Sequence, residues 1–316
     1  MLSVRKAVTV VSVLVAAGSV TAATGRAEVY SAPGPEPELS AVTLDARYRA
    51  TGWEIAKALA TARRVRDRDR IRALTAFLGN GRRFLSFDPR GHGRAVEIIG
   101  DLRSADRVAV VVPGADNSLT RFDSPGFVGD GGRALYRRAR ATAPGARLAV
   151  IAWLGYDPPR ALSADVLISG RAEDGAPALR RLLGGVHRVN ARARFALLCH
   201  SYGSVVCGKA APRLGPLPVD EIALFGSPGT TTDTTADLGT RAHVWAGRAK
   251  GDWVRYAPNV HVAGLGFGAD PVSSGFGATR FDAGTGPHSA YLKPGSRALR
   301  NLALIALGRD AQVTRA

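Results

Sequence analysis

A serine at the end of an apolar run is the residue of this sequence best placed to act as a nucleophile. Ser201 lies in residues 195–204, where Phe-Ala-Leu-Leu-Cys leads into His-Ser-Tyr-Gly-Ser. A buried strand, a sharp turn and a helix in this order form the nucleophile elbow, which lifts a serine hydroxyl above a sheet. Gly203 lets the strand and the helix approach closely. We therefore predict that Ser201 is a nucleophile; the alternative is an ordinary strand-to-helix turn.

A serine hydroxyl is a weak nucleophile until a base takes its proton. Enzymes with such an elbow follow the chain order serine, acid, histidine. Three histidines do not fit because they precede or adjoin the serine: His92, His187 and His200. His243 and His261 lie in strand-like segments, whereas His288 lies in a glycine-containing loop before the last predicted helix. We predict that His288 is the base; the alternative is a surface loop histidine.

The acid that supports the histidine should follow the next-to-last strand of the sheet. Asp252 comes shortly after the apolar run 243–246. A carboxylate there would hold the tautomer of His288 and stabilise its imidazolium form. Three other aspartates stay open as alternatives, in falling order of preference: Asp270, then Asp233 or Asp237.

Two backbone N–H groups are needed to stabilise the oxyanion that such a reaction forms. One donor should be Tyr202, the residue after the nucleophile. The other should come from the loop 113–118, which follows the apolar run 108–112. Gly114 lets this loop approach closely, so Ala115 is the predicted second donor. We predict no cofactor and no metal, since no cysteine or histidine cluster has metal-ligand spacing.

The two cysteines, Cys199 and Cys207, are eight residues apart. Cys199 stands where the elbow motif usually has its first glycine. We expect free thiols without a catalytic role, because a strand and the helix packed on it usually lie too far apart for a bridge. The alternative is a disulfide, which is usual for paired cysteines in exported proteins.

Apolar runs alternate with helical segments along the chain. The predicted strands are 84–87, 94–99, 107–112, 148–153, 195–199, 221–225 and 243–246. The predicted helices cover about 39–77, 132–141, 177–189, 204–214 and 297–307. This order favours an α/β fold with a mainly parallel sheet and helices on both faces. We expect one domain over residues 39–316 with a helical N-terminal extension. The loop 226–242 is too short for a lid domain, and the segment 264–287 could cover the pocket instead.

The first residues have the pattern of a secretory signal. Arg5 and Lys6 precede the apolar run 7–17 and a small-residue stretch. We expect a signal peptide over 1–23, with cleavage after Ala22 or Ala23, then a linker over 24–38 and a secreted protein. The alternative is an N-terminal membrane anchor, although the apolar run is short for a span.

The chain has a formal net charge of +17, from 43 Lys and Arg against 26 Asp and Glu. The basic residues are scattered and do not alternate with aromatic residues, so a nucleic-acid groove is not expected. The densest run, 63–72, contains two aspartates and is typical of a solvated helix face. We expect a monomer that could contact an anionic cell envelope peripherally.

Six ordered motifs resemble those of an actinobacterial family of α/β-hydrolase domains of unknown function. They are VVVPGADNS at 110–118, WLGYDPP at 153–159, CHSYGS at 199–204, ALFGSPG at 223–229, GDWV at 251–254 and GPHSAYL at 286–292. The family pattern has glycine where Cys199 stands and usually proline where Trp253 follows the acid. The resemblance implies the α/β-hydrolase fold and hydrolase chemistry, but no particular substrate.

The leading functional hypothesis is therefore a serine hydrolase that cleaves carboxylic esters through an acyl-enzyme, as carboxylesterases and lipases do. The substrate would be a small-molecule or lipid ester. Thioesters, amides and acyl transfer stay open, because the same residues would serve them. A different class is an inactive relative that binds anionic envelope polymers through its basic surface. The intact set Ser201, Asp252 and His288 favours the enzyme, and fluorophosphonate labelling separates the two.

Overall fold

The computed structural model describes residues 28–257 and 266–316. The predicted signal peptide and the first part of the predicted linker lie outside the described residues. None of the helices within these two ranges is both long and apolar enough to cross a membrane.

Eight strands form one sheet in the order β1-β2-β4-β3-β5-β6-β7-β8. Their bounds are β1 Arg83–Asp88, β2 Arg94–Ile99, β3 Arg107–Val112, β4 Leu148–Leu154, β5 Arg194–His200, β6 Val219–Phe225, β7 His243–Gly247 and β8 Thr279–Arg280. The first two strands form an antiparallel hairpin, and β2 also runs antiparallel to β4. All pairs from β4 through β3 to β8 are parallel. The predicted mainly parallel sheet is thus confirmed.

Within the described residues, six α-helices cover the sheet. Their bounds are α1 Leu44–Arg64, α2 Arg68–Phe77, α3 Val128–Thr142, α4 Gly170–Val189, α5 Gly203–Ala210 and α6 Arg297–Ala306. The core on one face contains residues of α1, α2, α3 and α6, and the core on the other contains residues of α4 and α5. β3 shows how the sequence fixes this arrangement, because Ala109 and Val111 face one core while Val108 and Val110 face the other. A strand that is buried on both faces must be apolar throughout.

The helical segment before the sheet is divided in two. The chain turns at Arg66, which has a left-handed backbone with φ of 58°. Asp67 then caps α2, because its side chain accepts a hydrogen bond from the backbone N–H of Arg70 at 3.1 Å. The sequence predicted helix over 39–77 without locating this break, since a capping aspartate inside a run of charged residues gives only a weak signal.

Cys199 and Cys207 form a disulfide, so the expectation of free thiols was wrong. Cys199 lies in β5, two residues before Ser201, and Cys207 lies in α5, about one helical turn after that helix begins. The sharp reversal between β5 and α5 brings the two Cα atoms to 6.5 Å, within the range of about 4.4–6.8 Å that a bridge allows. The general separation of a strand from its packed helix therefore does not apply this close to the turn.

Removing this bridge should lower stability more than activity. We expect the Cys199→Ala/Cys207→Ala protein to lose about 2–3 kcal/mol of unfolding free energy, because a loop of this length loses its closure in the unfolded chain. Urea unfolding with and without reductant measures the loss, and kcat/KM should stay within a few-fold of the wild-type value. If a thiol reagent counts two free thiols in wild-type protein that is unfolded without reductant, the disulfide is contradicted.

Candidate active site

Ser201 has the strained backbone of a nucleophile elbow. Its φ is 52°, in the left-handed region that non-glycine residues rarely adopt. Its backbone N–H donates to Phe225 O at 3.0 Å, which holds the turn to the end of β6. A Cβ atom at Gly203 would fall against the carbonyl oxygens of Val112 and Pro113, only 2.8 Å from the latter. Glycine is therefore required where α5 begins against the end of β3.

The structure brings Ser201, His288 and Asp252 into one hydrogen-bonded chain. His288 Nε2 lies 2.9 Å from Ser201 Oγ. The other ring nitrogen, Nδ1, lies 2.9 and 3.0 Å from the two carboxylate oxygens of Asp252. Because a carboxylate only accepts hydrogen bonds, Nδ1 must carry a proton, and Nε2 of neutral His288 is then free to accept from the serine hydroxyl. The arrangement can thus remove the proton of Ser201 when its oxygen attacks.

Asp252 is held as a carboxylate although it is completely buried. Burial alone would raise its pKa, but hydrogen bonds from His288, Tyr291 and the backbone N–H of Val254 hold the pKa below its usual value. The bond from the backbone N–H of Val254 is 2.9 Å long and is accepted by Oδ1 of Asp252. It fixes the carboxylate in the turn that follows β7. A carboxylate at this position would stabilise a charged form of His288.

Tyr291 was not singled out from the sequence as a functional residue. Its hydroxyl donates to Asp252 Oδ2 at 2.5 Å and accepts from the backbone N–H of Ala249 at 3.0 Å. Burial and the Asp252 charge both raise the pKa of Tyr291, so it stays a donor. The sequence feature that could have pointed to Tyr291 is its position three residues after His288 in the motif GPHSAYL. This short spacing places both side chains on one turn of the chain.

Replacing Tyr291 by phenylalanine should remove one hydrogen bond to Asp252 and leave the carboxylate itself in place. We expect Tyr291→Phe to lower kcat/KM about tenfold, since a hydrogen bond to a charged group contributes about 1.5–3 kcal/mol. The pKa of Asp252 should rise, so the acid limb of the pH profile should move to higher pH. An altered melting temperature with an unmoved pH profile would reduce Tyr291 to a purely structural role.

His200 supports the loop that carries His288. Its Nε2 lies 3.0 Å from the backbone oxygen of His288, and because a carbonyl only accepts, this nitrogen donates. The two imidazole rings are 4.8 Å apart, and the ring of His200 also stacks on Phe225. Burial lowers the pKa of His200 to about 3, with a further contribution from His288. His200 therefore stays neutral beside the imidazolium that His288 would form.

The loop after β3 lies directly beside Ser201. A Cβ atom at Gly114 would come within 2.6 Å of the Ser201 Cβ, so only glycine fits there. The side chain of Asn117 fixes this loop by donating to the carbonyl oxygens of Gly114 and Ala115 at 3.2 and 3.3 Å. The same side chain accepts from the backbone N–H of Val128, at the start of α3.

The two predicted oxyanion donors lie in the two segments that meet at Ser201. Within the described chain, neither the backbone N–H of Ala115 nor that of Tyr202 has a hydrogen-bond acceptor. Both groups are thus available to an oxyanion, which is what the proposed role requires. Their role in catalysis stays a prediction.

The rival acids do not contact His288. Asp270 forms an ion pair with Arg248 at 2.6 Å. Asp233 accepts from the backbone N–H of Ala269, and Asp237 caps a turn at Thr234. Among the rival bases, His243 pairs with Asp310 at 3.2 Å, while His261 lies outside the described residues.

A second polar cluster lies away from the triad. One ligand atom each of Glu221, His243 and Asp310 lies within 4.8 Å of the other two. Glu221 and His243 are near the amino ends of β6 and β7, whereas Ser201 follows the carboxyl end of β5. The cluster could hold a cation, but it lies at the opposite edge of the sheet from Ser201.

The segment before His288 lies against the loops around the elbow. Within its described part, 266–287, the backbone N–H of Gly266 donates to Leu167 O at 3.0 Å. The ring of Phe267 packs edge-on against Tyr202 with centroids 5.7 Å apart. Residues 226–242 contain no α-helix, as expected for a site without a lid domain.

The parallel sheet and the strained serine turn define a class of protein, and sequence comparison agrees with it. Residues 88–262, more than half of the chain, match the alpha/beta hydrolase family. The chain belongs to this family, and the predicted resemblance and α/β-hydrolase fold are confirmed.

Several relatives come from mycobacteria. The uncharacterized protein Rv2079 of Mycobacterium tuberculosis is 32% identical over 261 residues, which cover 71% of this chain and 39% of that protein. The uncharacterized protein Rv0963c of the same organism is 35% identical over 159 residues, covering 48% of this chain and 58% of that protein. The chain therefore spans well under two thirds of the length of these curated relatives.

Solved structures with similar folds include hydrolases. Esterase PE8 has a TM-score of 0.44 and 16% identity, covering 67% of this chain and 96% of that chain. A hyperthermophilic esterase from the archaeon Pyrobaculum calidifontis has a TM-score of 0.41 and 13% identity, covering 69% and 80%.

Proposed function

We propose that this protein is a serine hydrolase that cleaves carboxylic esters through an acyl-enzyme. One observation carries the proposal: Ser201 Oγ, His288 Nε2 and the Asp252 carboxylate are joined by consecutive hydrogen bonds of 2.9 Å. A nucleophile, its base and an orienting acid in this geometry are the parts that acyl transfer requires.

In the first half-reaction, Ser201 Oγ attacks the ester carbonyl carbon while His288 Nε2 takes the hydroxyl proton. The carbonyl oxygen becomes an oxyanion and receives hydrogen bonds from the backbone N–H groups of Ala115 and Tyr202. His288, now an imidazolium beside the Asp252 carboxylate, then gives its proton to the leaving alcohol. The products of this step are the free alcohol and an ester of the Ser201 hydroxyl.

In the second half-reaction, His288 takes a proton from water as the water oxygen attacks the acyl carbon. The imidazolium then returns the proton to Ser201 Oγ as the bond to the acyl group breaks. The carboxylic acid leaves and the starting enzyme is restored. Each N–H donor in the oxyanion site contributes about 3 kcal/mol to stabilising the transition state in related chemistry.

The competing proposal is an inactive relative that binds anionic polymers. A protein that had lost catalysis would have no reason to keep a strained Ser201, with φ of 52°, against the base. Strain of this kind costs about 1–3 kcal/mol and persists where function requires it. The retained strain favours the enzyme.

We also propose that the protein is exported. The disulfide between Cys199 and Cys207 supports this, because such bridges persist mainly outside the cytosol. N-terminal sequencing of protein from the culture medium should give a chain that begins after Ala22 or Ala23. Protein recovered only from cells, with Met1 or Leu2 at its start, would contradict export.

Ester profiling tests the proposed reaction. The wild type should hydrolyse p-nitrophenyl esters of two to sixteen carbons, and the matched thioesters and anilides should be slower. Ser201→Ala should be inactive on every substrate. Faster turnover of an anilide or thioester than of the ester with the same acyl group would reassign the substrate class.

A further inference from the structure

Two loops near the triad expose an unusual amount of apolar surface. Of the ten large apolar side chains that the described residues expose, five lie in these loops. We call the five together the docking face: Leu162, Leu167, Ile168, Trp253 and Tyr256. Leu162 is fully exposed, and Tyr256 is 81% exposed. Grouped apolar exposure of this kind marks an interaction site.

The docking face lies on both sides of the nucleophile. Its first three residues follow β4 and its last two follow β7, and these parallel strands end at the same edge of the sheet as β5. Three strands separate β4 from β7, so the two loops are about 19 Å apart at the strand spacing of about 4.8 Å. Ser201, at the end of β5, lies between them. The ring of Trp253 is 5.0 Å from that of His288.

Cations accompany the apolar side chains. Arg160 belongs to the loop after β4, and Lys250 and Arg255 flank the acid in the loop after β7. Lys293 follows the loop of His288. All four are exposed, and none forms an ion pair within the described ranges. These four cations therefore stand without a carboxylate partner among the described residues, whereas two carboxylates of the loop after β4, Asp157 and Asp165, share Arg171.

This combination matches the boundary of a lipid bilayer. Leucine side chains gain about 1.5–3 kcal/mol each on full removal from water. Tryptophan and tyrosine favour the headgroup level, where one end of the ring is apolar and the other is wet. Each lysine or arginine near an anionic surface adds about 1 kcal/mol.

We propose that the docking face binds peripherally to an anionic lipid surface and that the substrate is an ester lipid drawn from that surface. Leu162, Leu167 and Tyr256 would enter the boundary of the acyl chains, while Arg160, Lys250 and Arg255 pair with lipid phosphates. The choice of substrate rests on the proposed ester hydrolysis. The binding does not, because it needs no turnover.

Vesicle flotation tests the binding in the Ser201→Ala protein, which cannot hydrolyse lipid. The protein should float with phosphatidylcholine vesicles that contain phosphatidylglycerol and remain behind with pure phosphatidylcholine. Adding Leu162→Ser, Leu167→Ser and Tyr256→Ser should lower the bound fraction about tenfold or more. Arg160→Gln, Lys250→Gln and Arg255→Gln should give a similar loss, and about 1 M salt should mimic it.

Trp53→Ser is the matched control. Trp53 is 72% exposed on α1, which packs against β1 at the far edge of the sheet. Its loss should leave flotation unchanged, and the melting temperatures of all variants should match that of the parent. An equal loss of flotation in Trp53→Ser and in the triple serine variant would contradict the role of the docking face in binding.

The remaining outcomes also decide the question. Absence of flotation on anionic vesicles, or equal flotation on neutral ones, would overturn the proposal. A dimer that dissociates in the triple serine variant, without flotation, would assign the face to a second copy of this chain. Normal flotation combined with no hydrolysis of short soluble esters by the wild type would keep the docking face and contradict the proposed reaction instead.

Discussion

Replacing Asp252 by asparagine should lower kcat for ester hydrolysis at neutral pH by about 10⁴, the effect of the analogous change in a serine protease. An amide at this position can donate to His288 Nδ1, which favours the tautomer with its proton on Nε2. That proton would point at Ser201 Oγ, so the base could no longer accept from the nucleophile. Initial rates on a soluble ester measure the loss, and circular dichroism shows whether the fold is kept.

Asp270→Asn is the matched control for this change. Asp270 is also partly enclosed, but its partner is Arg248 at 2.6 Å and not His288. We expect less than a tenfold change in kcat. A larger loss from Asp270→Asn than from Asp252→Asn would move the acid to Asp270, and mild effects from both would mean that His288 works without a carboxylate.

Removing the nucleophile or the base should have the largest effect of all. We expect Ser201→Ala and His288→Ala each to lower kcat by about 10⁶, and the double variant to be no worse than either single one. Groups that act as one unit show this non-additivity, because the part of the rate enhancement that comes from nucleophilic attack is lost once either is missing. Full kinetics of the three variants on one soluble ester make the comparison.

Additive losses would contradict this account. If His288→Ala lost only tenfold and the double variant lost tenfold more than Ser201→Ala, the two side chains would act independently. The base would then have to be another group. The ring of His200 lies 4.8 Å from that of His288, but His200 is neutral and donates to the His288 backbone.

Much of the fold could be predicted from the sequence because its physical demands are local. β4 is apolar throughout and β3 is apolar after Arg107, since both faces of these strands are covered, and such runs can be recognised in the sequence alone. Ser201 and Gly203 were also visible, because a nucleophile elbow restricts which residues can occupy a few adjacent positions. The position of His288 followed from the chain order that the sheet imposes.

Other features depended on distances that sequence spacing does not give. The disulfide requires two Cα atoms to approach across the elbow, and the number of residues between Cys199 and Cys207 does not reveal that approach. Tyr291 supports Asp252 from 39 residues away, so no local pattern connects them. The role of His200 depends on contact with a carbonyl in a loop 88 residues away.

The central claim, that Ser201 is a nucleophile activated by His288, is tested most directly by covalent labelling. A fluorophosphonate forms a bond to the serine oxygen only when the hydroxyl is activated, so intact mass should rise by one adduct in the wild type. Peptide mapping should place the adduct on Ser201, and Ser201→Ala should remain unlabelled while His288→Ala labels far more slowly. Equal labelling of the wild type and Ser201→Ala, or no labelling of the folded wild type, would contradict the claim.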